Sequence, residues 1–531
     1  MTAATAPTVA PSAWGPLRIA AFRSLWLAVL VSNIGTWMQT VGAQWLLVEQ
    51  SGTDTLVAVV QTASTLPIVL LALPSGALAD TFDRRRLLLG VQAFLIAVGV
   101  VLTVLTLVQR MPPALLLTLT FALGAGQALT GPAWQAIIPE LVPRPQLASA
   151  SALGAISMNL ARAVGPAVAG VLVARTGVGV VFGLNTLSFV IFSVVLWRWR
   201  SPIPETATAP EQFAAAVRSG SRYVRHSPVV RRILLRAALF LVPGSALWAL
   251  LPLVASRRLG LGSGGYGVLL GAVGAGAVAG AILLPQLRAR WSPNRLVLIA
   301  GLVFAGVLVV LALVRSEAAV VLALLPAGVA WVMMLSNVNA AMQLFLPSWV
   351  RARGLGVYQM VFAGGQAAGA LIWGALSDAT GLVAAHLAAG TLMLAGVLTL
   401  RRWPMRDTSG LDRESAVFWP EPHVALPSPA AGPVLVTASY PVSAAHEEAF
   451  VEAMESVRLS RLRTGAVQWG LFRDGERPGR FVEAYVVPSW EEHLRQHTDR
   501  LTGTDQAIEE RAQAFADGPP EVSHLLSARP H

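Results

Sequence analysis

The sequence predicts an all-α membrane protein, twelve transmembrane helices in two six-helix pseudo-repeats, followed by a small α+β domain. Three observations predict it. Of the 531 residues, 55% are hydrophobic and only 13% charged, a scarcity of charge that water-soluble folds rarely show. Twelve apolar runs of about 20 residues each, long enough to cross a hydrocarbon core of roughly 30 Å as helices, follow one another between residues 25 and 400. The charge then changes sign: residues 1–406 carry 28 Arg and 9 Asp or Glu, whereas residues 407–531 carry 11 Arg and 19 Asp or Glu. The net charge of +11 therefore combines two unlike bodies and marks no nucleic-acid surface.

The expected spans are 25–47, 56–79, 87–109, 114–137, 147–173 and 178–197 in a first bundle (1–200). Those of a second bundle (233–403) are 233–255, 265–287, 296–314, 318–342, 354–376 and 382–400, and a polar, basic connecting segment over 201–232 joins the two. The leading stretch 1–18 has no apolar core of signal-peptide kind and is expected to stay uncleaved. If the N-terminus is inside, 22 arginines fall on inner loops and five, Arg110, Arg175, Arg257, Arg258 and Arg315, on outer ones. Arg-rich short loops are retained in the cytoplasm, so both termini are expected there and the chain is expected in the cytoplasmic membrane. A shift of 204 residues lays 143–177 on 347–381, matching Pro143 with Pro347, Gly165 with Gly369, Gly170 with Gly374 and Thr176-Gly177 with Thr380-Gly381. Two such bundles around a central cavity suit alternating access, in which one half rocks against the other.

Between the second and third spans, "GALADTFDRRR" (76–86) packs two carboxylates and three arginines into eleven positions. Gly76 admits a neighbouring helix closely, and Asp80 can accept from another helix's N-terminal amides or pair with Arg84 at i, i+4. Arg84, Arg85 and Arg86 also read simply as a topology signal. With Gly76, Asp80, Arg85 and Arg86 in these places, the chain resembles a major facilitator superfamily transporter over roughly residues 15–405. It departs from that superfamily's loop motif at Thr81 and Asp83. The resemblance implies a conformational latch of Gly76, Asp80 and Arg84 to Arg86 on the cytoplasmic face, favouring the outward-open state. In the fifth span, Gly165, Pro166 and Gly170 resemble the superfamily's antiporter element, with Ala169 in place of a glycine; the same small residues also serve tight helix packing. The run from Trp26 through "VSNIGTWMQTVGAQWLL", together with the C-terminal domain, resembles the transmembrane secretion effector subgroup, relatives of the enterobactin exporter.

A substrate pathway is expected along the polar faces of the spans. Asn33, Trp37, Thr40 and Gln44 form one stripe of the first helix. Gln61, Gln127, Gln135, Asn337, Asn339 and Gln343 either line the same space or bond neighbouring helices. Arg162 lies near the middle of the fifth span, where an arginine costs about 2.5 to 3.5 kcal/mol on insertion scales. It either contacts an anionic or acceptor-rich substrate or bridges Asn159 and backbone carbonyls. Every acid of the membrane part, from Glu49 to Asp378, sits at a span end or in a loop, so proton coupling lacks a mid-membrane carboxylate. Asp80, Glu140 and Asp378 remain as carriers at the faces.

After a proline-containing linker (404–432), the segment 433–531 changes pattern: "VLVTASYPV" alternates like a strand, 446–465 reads as an amphipathic helix, and a hairpin turns near Asp474-Gly475. Helices over 489–497 and 503–516 and a strand over 522–528 complete a β-α-β-β-α-β order, that of a ferredoxin-like domain. It resembles the dimeric α/β-barrel group that includes antibiotic-biosynthesis monooxygenases. Trp490, His493, His497, Asp499 and Asp505 concentrate in one stretch. His493 and His497 have the spacing of two metal ligands, but without a cysteine or an HExxH pattern they are expected to pack or face solvent. No metal site, cofactor or catalytic group is assigned, and the domain is expected to associate with itself or with a cytoplasmic partner.

The resemblance implies a secondary active transporter, not an enzyme, exporting a small organic molecule of siderophore, drug or metabolite kind. An importer of the same fold and a membrane-anchored enzyme or sensor are the alternatives. The sequence contains no lysine, so no phosphate-binding Gly-x-x-x-x-Gly-Lys loop can drive it with ATP.

Overall fold

The computed structural model of the chain describes residues 14–50, 53–200, 213–406, 411–419 and 432–527. The first six long helices are α1 (Ala20–Gln50), α2 (Asp54–Thr81), α3 (Arg84–Leu107), α4 (Pro113–Leu141), α5 (Leu147–Thr176) and α6 (Val178–Arg198). Helix α7 (Phe213–His226) occupies the connecting segment, where the sequence predicts only a polar joint. The second set is α8 (Pro228–Leu253), α9 (Ser263–Arg290), α10 (Pro293–Leu313), α11 (Glu317–Phe345), α12 (Ser348–Thr380) and α13 (Leu382–Leu398). Among the described residues, eleven helices are long and apolar enough to cross a membrane. Helix α1, the twelfth expected span, has 31 residues, ample length, but its polar stripe dilutes its apolar character. Val104, Leu107, Ile282, Leu313 and Leu322 are exposed, the outward apolar surface that a helix bundle turns toward lipid.

Two compact units make up the chain. In the first, which holds α1–α6 and most of α8–α13, α2 packs on α4, α1 on α5 and α6, α3 on α6, and α10 on α13. The two bundles meet along α5 and α9. A Cβ placed on Gly170 would lie 2.5 Å from the Gly267 Cα, so the two backbones cross with no room for a side chain. The turns α5–α6 and α12–α13 are alike: Gly177 has φ +85° and Gly381, its partner in the repeat, φ +89°, a region where a Cβ is strained.

The second unit comprises α7 with its flanks, residues 338–358 and the chain from 405 onward. Strands β1 (Val434–Pro441), β2 (Gln468–Arg473), β3 (Arg480–Val487) and β4 (Glu521–Leu526) form one antiparallel sheet in the order β2-β3-β1-β4. Its helices are α14 (Glu447–Thr464), α15 (Trp490–Arg495), continued by a π-turn over Gln496–Arg500, and α16 (Gly503–Gln513). Alternate residues of β1 and β3, among them Val436, Ala438, Tyr440, Phe481 and Tyr485, are buried, and Phe450, Met454 and Val457 of α14 join that core. Part of the expected linker belongs here too, since Ala416 donates its N–H to the Leu501 carbonyl at 3.0 Å. Helix α7 packs on α14, and Arg353 donates to Ser219 Oγ at 2.8 Å.

The close crossing gives a paired prediction for thermal unfolding in detergent. Gly170→Val should lower the melting temperature by several degrees, the price of about 2–3 kcal/mol of overpacking. Gly306→Ala, where a Cβ meets nothing within 4 Å, should leave it unchanged or raise it. Equal effects of the two would show that the α5–α9 contact is loose.

Candidate functional site

The polar stripe of α1 runs into neighbours from both bundles. Asn33 donates to Ser157 Oγ of α5 at 3.3 Å, and Gln127 of α4 donates to Thr36 Oγ1 at 3.3 Å. Thr40 spends its hydroxyl proton on the Thr36 carbonyl at 3.2 Å. Gln44 is buried and crosses to the second bundle: its Nε2 donates to the Trp248 carbonyl at 3.1 Å, while Tyr266 donates its hydroxyl to Gln44 Oε1 at 2.7 Å. One level along, Gln61 donates to Gln366 Oε1 at 3.2 Å, and Thr62 to the Ala367 carbonyl at 2.9 Å. Each of these inter-bundle bonds replaces water that is absent from a membrane interior.

Beside this stripe the Arg162 guanidinium lies over the Trp37 ring, 5.4 Å from its centroid. Trp37 faces Trp248 of α8 at 6.0 Å, and Trp248 meets Trp331 of α11 edge-on at 5.2 Å. The indole nitrogens of Trp248 and Trp331 are buried without a hydrogen-bond acceptor. Asn159 donates its amide to the Ala155 carbonyl at 2.9 Å. Gln135 is exposed. Asn337 is buried, donating to the Pro293 carbonyl at 3.1 Å inside the second bundle. Asn339 and Gln343 belong to the second unit, where they bond each other at 3.2 Å. Sequence reasoning missed Trp248, Tyr266 and Trp331; for Trp331, placed mid-span and far from the interfaces where Trp and Tyr ordinarily collect, that placement was the available signal, whereas Tyr266 stands in the first turn of α9.

One end of the bundle pair is tied shut across the gap between the halves. The N-terminus of α2 offers its free amides, and Asp378 of α12 accepts from Asp54 N–H at 2.6 Å and Thr55 N–H at 2.9 Å, as well as from the Thr55 hydroxyl. Asp54 itself is buried to 3% exposure. It accepts from Ser377 Oγ at 2.5 Å and pairs with Arg257, which sits on the π-turn Val254–Arg258 that ends α8. Five groups from three helices thus join first bundle to second.

The charged loop at the start of α3 behaves differently. Arg84 pairs with Glu140 of α4 at 2.8 Å and donates to the Ala136 carbonyl at 3.0 Å, and Arg85 donates to the Leu196 carbonyl of α6 at 3.2 Å. Asp83 caps α3 by accepting from the Arg86 N–H at 2.7 Å, and the Arg86 side chain is exposed. All of these contacts stay within the first bundle. Gly76 and Asp80 fall in the last turns of α2, and their surroundings lie outside the described residues. Gly165 sits against α1, where a Cβ would come within 2.7 Å of Trp37 Cβ, and Pro166 lies inside α5. In the C-terminal domain, Trp490, His493 and His497 come together, whereas Asp505 joins Thr502 in a helix-capping box and pairs with Arg463.

A family model described as transmembrane secretion effector matches residues 11–531. Macrolide efflux protein A of Streptococcus pyogenes is 24% identical over 235 residues, 44% of this chain and 58% of that protein. The staphyloferrin A transporter of Staphylococcus aureus is 24% identical over 258 residues, 48% of this chain and 64% of that protein. The chain thus spans about three fifths of the length of these two relatives. Over a longer stretch, the multidrug efflux pump Tap of Mycolicibacterium fortuitum is 25% identical across 405 residues, 72% of this chain and 93% of that protein. A bacterial homologue of the human lysosomal transporter Spinster, solved inward-facing and unoccupied, superposes with TM-score 0.55 at 16% identity over 73% of this chain and 95% of its own. A POT family transporter solved with 5-aminolevulinic acid gives TM-score 0.59 at 14% identity over 74% and 97%. At such identities the likeness shows the fold.

The tied end can be tested by thiol labelling, because the chain has no native cysteine. In a Thr40→Cys background, Asp54→Asn combined with Asp378→Asn should raise labelling from that side about tenfold or more. Bonds to a charged partner contribute about 1.5–3 kcal/mol each, and about 1.4 kcal/mol is tenfold. Unchanged labelling would mean that these carboxylates do not hold the end closed.

Proposed function

The chain belongs to the transmembrane secretion effector family, and from that membership we propose that it is a secondary active transporter exporting a small organic molecule across the cytoplasmic membrane by alternating access. The observation that carries the reading is the asymmetry between the two ends of the bundle pair. Asp54, Arg257, Ser377 and Asp378 bind one half to the other, while the contacts of Arg84 and Arg85 remain inside one half. With both termini cytoplasmic, as the arginine distribution favours, the tied end faces outward and the conformation is inward-facing. The segment with Gly76, Asp80 and Arg84 to Arg86 then acts as the opposing latch, made only when the cytoplasmic end closes. Rocking turns about the crossing where Gly170 meets Gly267, next to the antiporter-like element Gly165, Pro166 and Gly170.

The substrate reading follows from donors. Arg162 and the indole N–H groups of Trp248 and Trp331 offer hydrogen bonds and positive charge beside aromatic faces, and every acid of the membrane part lies at a span end or in a loop. Such a lining favours an anionic or oxygen-rich organic molecule over a cation. Relatives named as a macrolide efflux protein and a staphyloferrin A transporter support a small organic molecule as the cargo. Coupling is assigned to the face carboxylates Asp54 and Asp378, whose protonation would weaken the outer tie. The C-terminal domain is proposed to self-associate, its exposed Phe472 and Leu525 serving as contact residues.

Metabolite comparison of culture medium with and without the protein should identify the exported compound. Accumulation in inverted vesicles supports export, and accumulation in intact cells instead would reverse the direction. For the identified compound, Arg162→Ala should reduce transport about tenfold to a hundredfold, a charged hydrogen bond's worth, with membrane abundance unchanged and Arg162→Lys partly restoring it. Normal transport by Arg162→Ala removes the substrate contact. Asp80→Asn should slow transport at unchanged abundance, and an unaltered rate removes the latch.

A further inference from the structure

The C-terminal domain holds a cluster that the pathway does not use. Helix α15 and its π-turn set His493 and His497 one turn apart, and the edge strand β4 brings His524 to the same place, so that one ring nitrogen of each lies within 4.8 Å of the others. His493 is fully buried, His497 nearly so, and His524 partly exposed.

The spacing is that of a ligand set. Nε2 of His493 and Nε2 of His497 stand 3.2 Å apart, close to the roughly 3.3 Å between two imidazole nitrogens bound at about 2.0–2.1 Å to one tetrahedral ion. His493 Nδ1 faces Gln496 Oε1 at 3.2 Å, and Gln496 donates in turn to Thr464 Oγ1 at 3.2 Å. That chain puts the His493 proton on Nδ1 and leaves the Nε2 lone pair pointing into the cluster, as outer hydrogen bonds do for metal-binding histidines. His497 Nδ1 is buried with no hydrogen-bond partner, so the ring's polar contact is the Nε2 that faces His493. Trp419 stands edge-on to His497 at 4.7 Å, and Trp490 lies 5.4 Å from His493 and 5.8 Å from His524, walling off water.

We propose that His493, His497 and His524 form a tris-imidazole site for one divalent transition-metal ion, Zn²⁺ or a first-row neighbour. Hard cations such as Mg²⁺ and Ca²⁺ call for oxygen ligands, and this group contains only histidines, whereas imidazole suits Zn²⁺, Co²⁺, Ni²⁺ and Cu²⁺. The fourth position of a tetrahedron is left to water or a small anion. Coordination would pin β4 to α15 and so tighten the edge of the sheet.

The test uses the full chain in detergent, purified without a histidine tag, stripped with chelator and titrated with Co²⁺ alone. The expected result is the visible spectrum of four-coordinate Co²⁺, saturating at about one ion per chain and displaced by Zn²⁺. His524→Gln, at a partly exposed strand position where folding is preserved, should weaken binding about tenfold or more. His497→Gln should do the same, with circular dichroism reporting the fold of each variant. Absence of a saturable spectrum, or binding equally tight in His524→Gln, overturns the proposal.

Discussion

Asp54, a buried carboxylate, must find donors, and both it and the exposed Asp378 find theirs across the seam between two helix bundles. Asp378 accepts the free amides that begin α2, while Asp54, which opens that helix, is held by Arg257 and Ser377. The first bundle alone does not supply the donors that the buried Asp54 takes from Arg257 and Ser377, so this set of contacts depends on the two halves meeting. Hydrogen bonds at successive levels, Gln61 to Gln366 and Gln44 to Trp248 and Tyr266, extend the same dependence toward the middle of the molecule. The glycine crossing of α5 and α9 supplies the complementary feature, a contact of backbone on backbone that carries no polar group and can serve as a pivot.

Much of the membrane architecture was legible because lipid imposes simple demands. Each expected span overlaps one long helix; some lie inside it, as 25–47 does within Ala20–Gln50, and others run a residue or two past its end, as 87–109 does beyond Arg84–Leu107, because apolar character and backbone hydrogen bonding need not end at the same residue. The 204-residue repeat reappears in the matched left-handed glycines Gly177 and Gly381. The strands of the C-terminal domain were legible from alternation, and the sheet order follows from pairing them. Helix α7 was not, because its short, basic sequence has no apolar run to mark it; its packing on α14 supplies what the local pattern lacks.

The site was legible as residue types and not as partnerships. Asn33, Thr40 and Gln44 do share a face of α1, yet Gln44 is engaged by the other bundle, and Asn337 serves the carbonyl of Pro293 at the start of α10. Asp378 was recognisable only as a carboxylate at a face, since its partners lie more than 320 residues away. His524, likewise, sits on a strand with no sequence sign linking it to His493 and His497. Long-range contacts of this kind are properties of packing, which hydrophobic periodicity does not encode.

The central claim is that the Asp54–Asp378 end and the opposite end open in turn. Distances between spin labels test it most directly in this cysteine-free chain: one pair at Thr53→Cys and Ala379→Cys, another at Phe82→Cys and Arg290→Cys. The account predicts that any condition lengthening the first distance, such as low pH or bound substrate, shortens the second. Two distances that stay fixed, or that lengthen together, would contradict it.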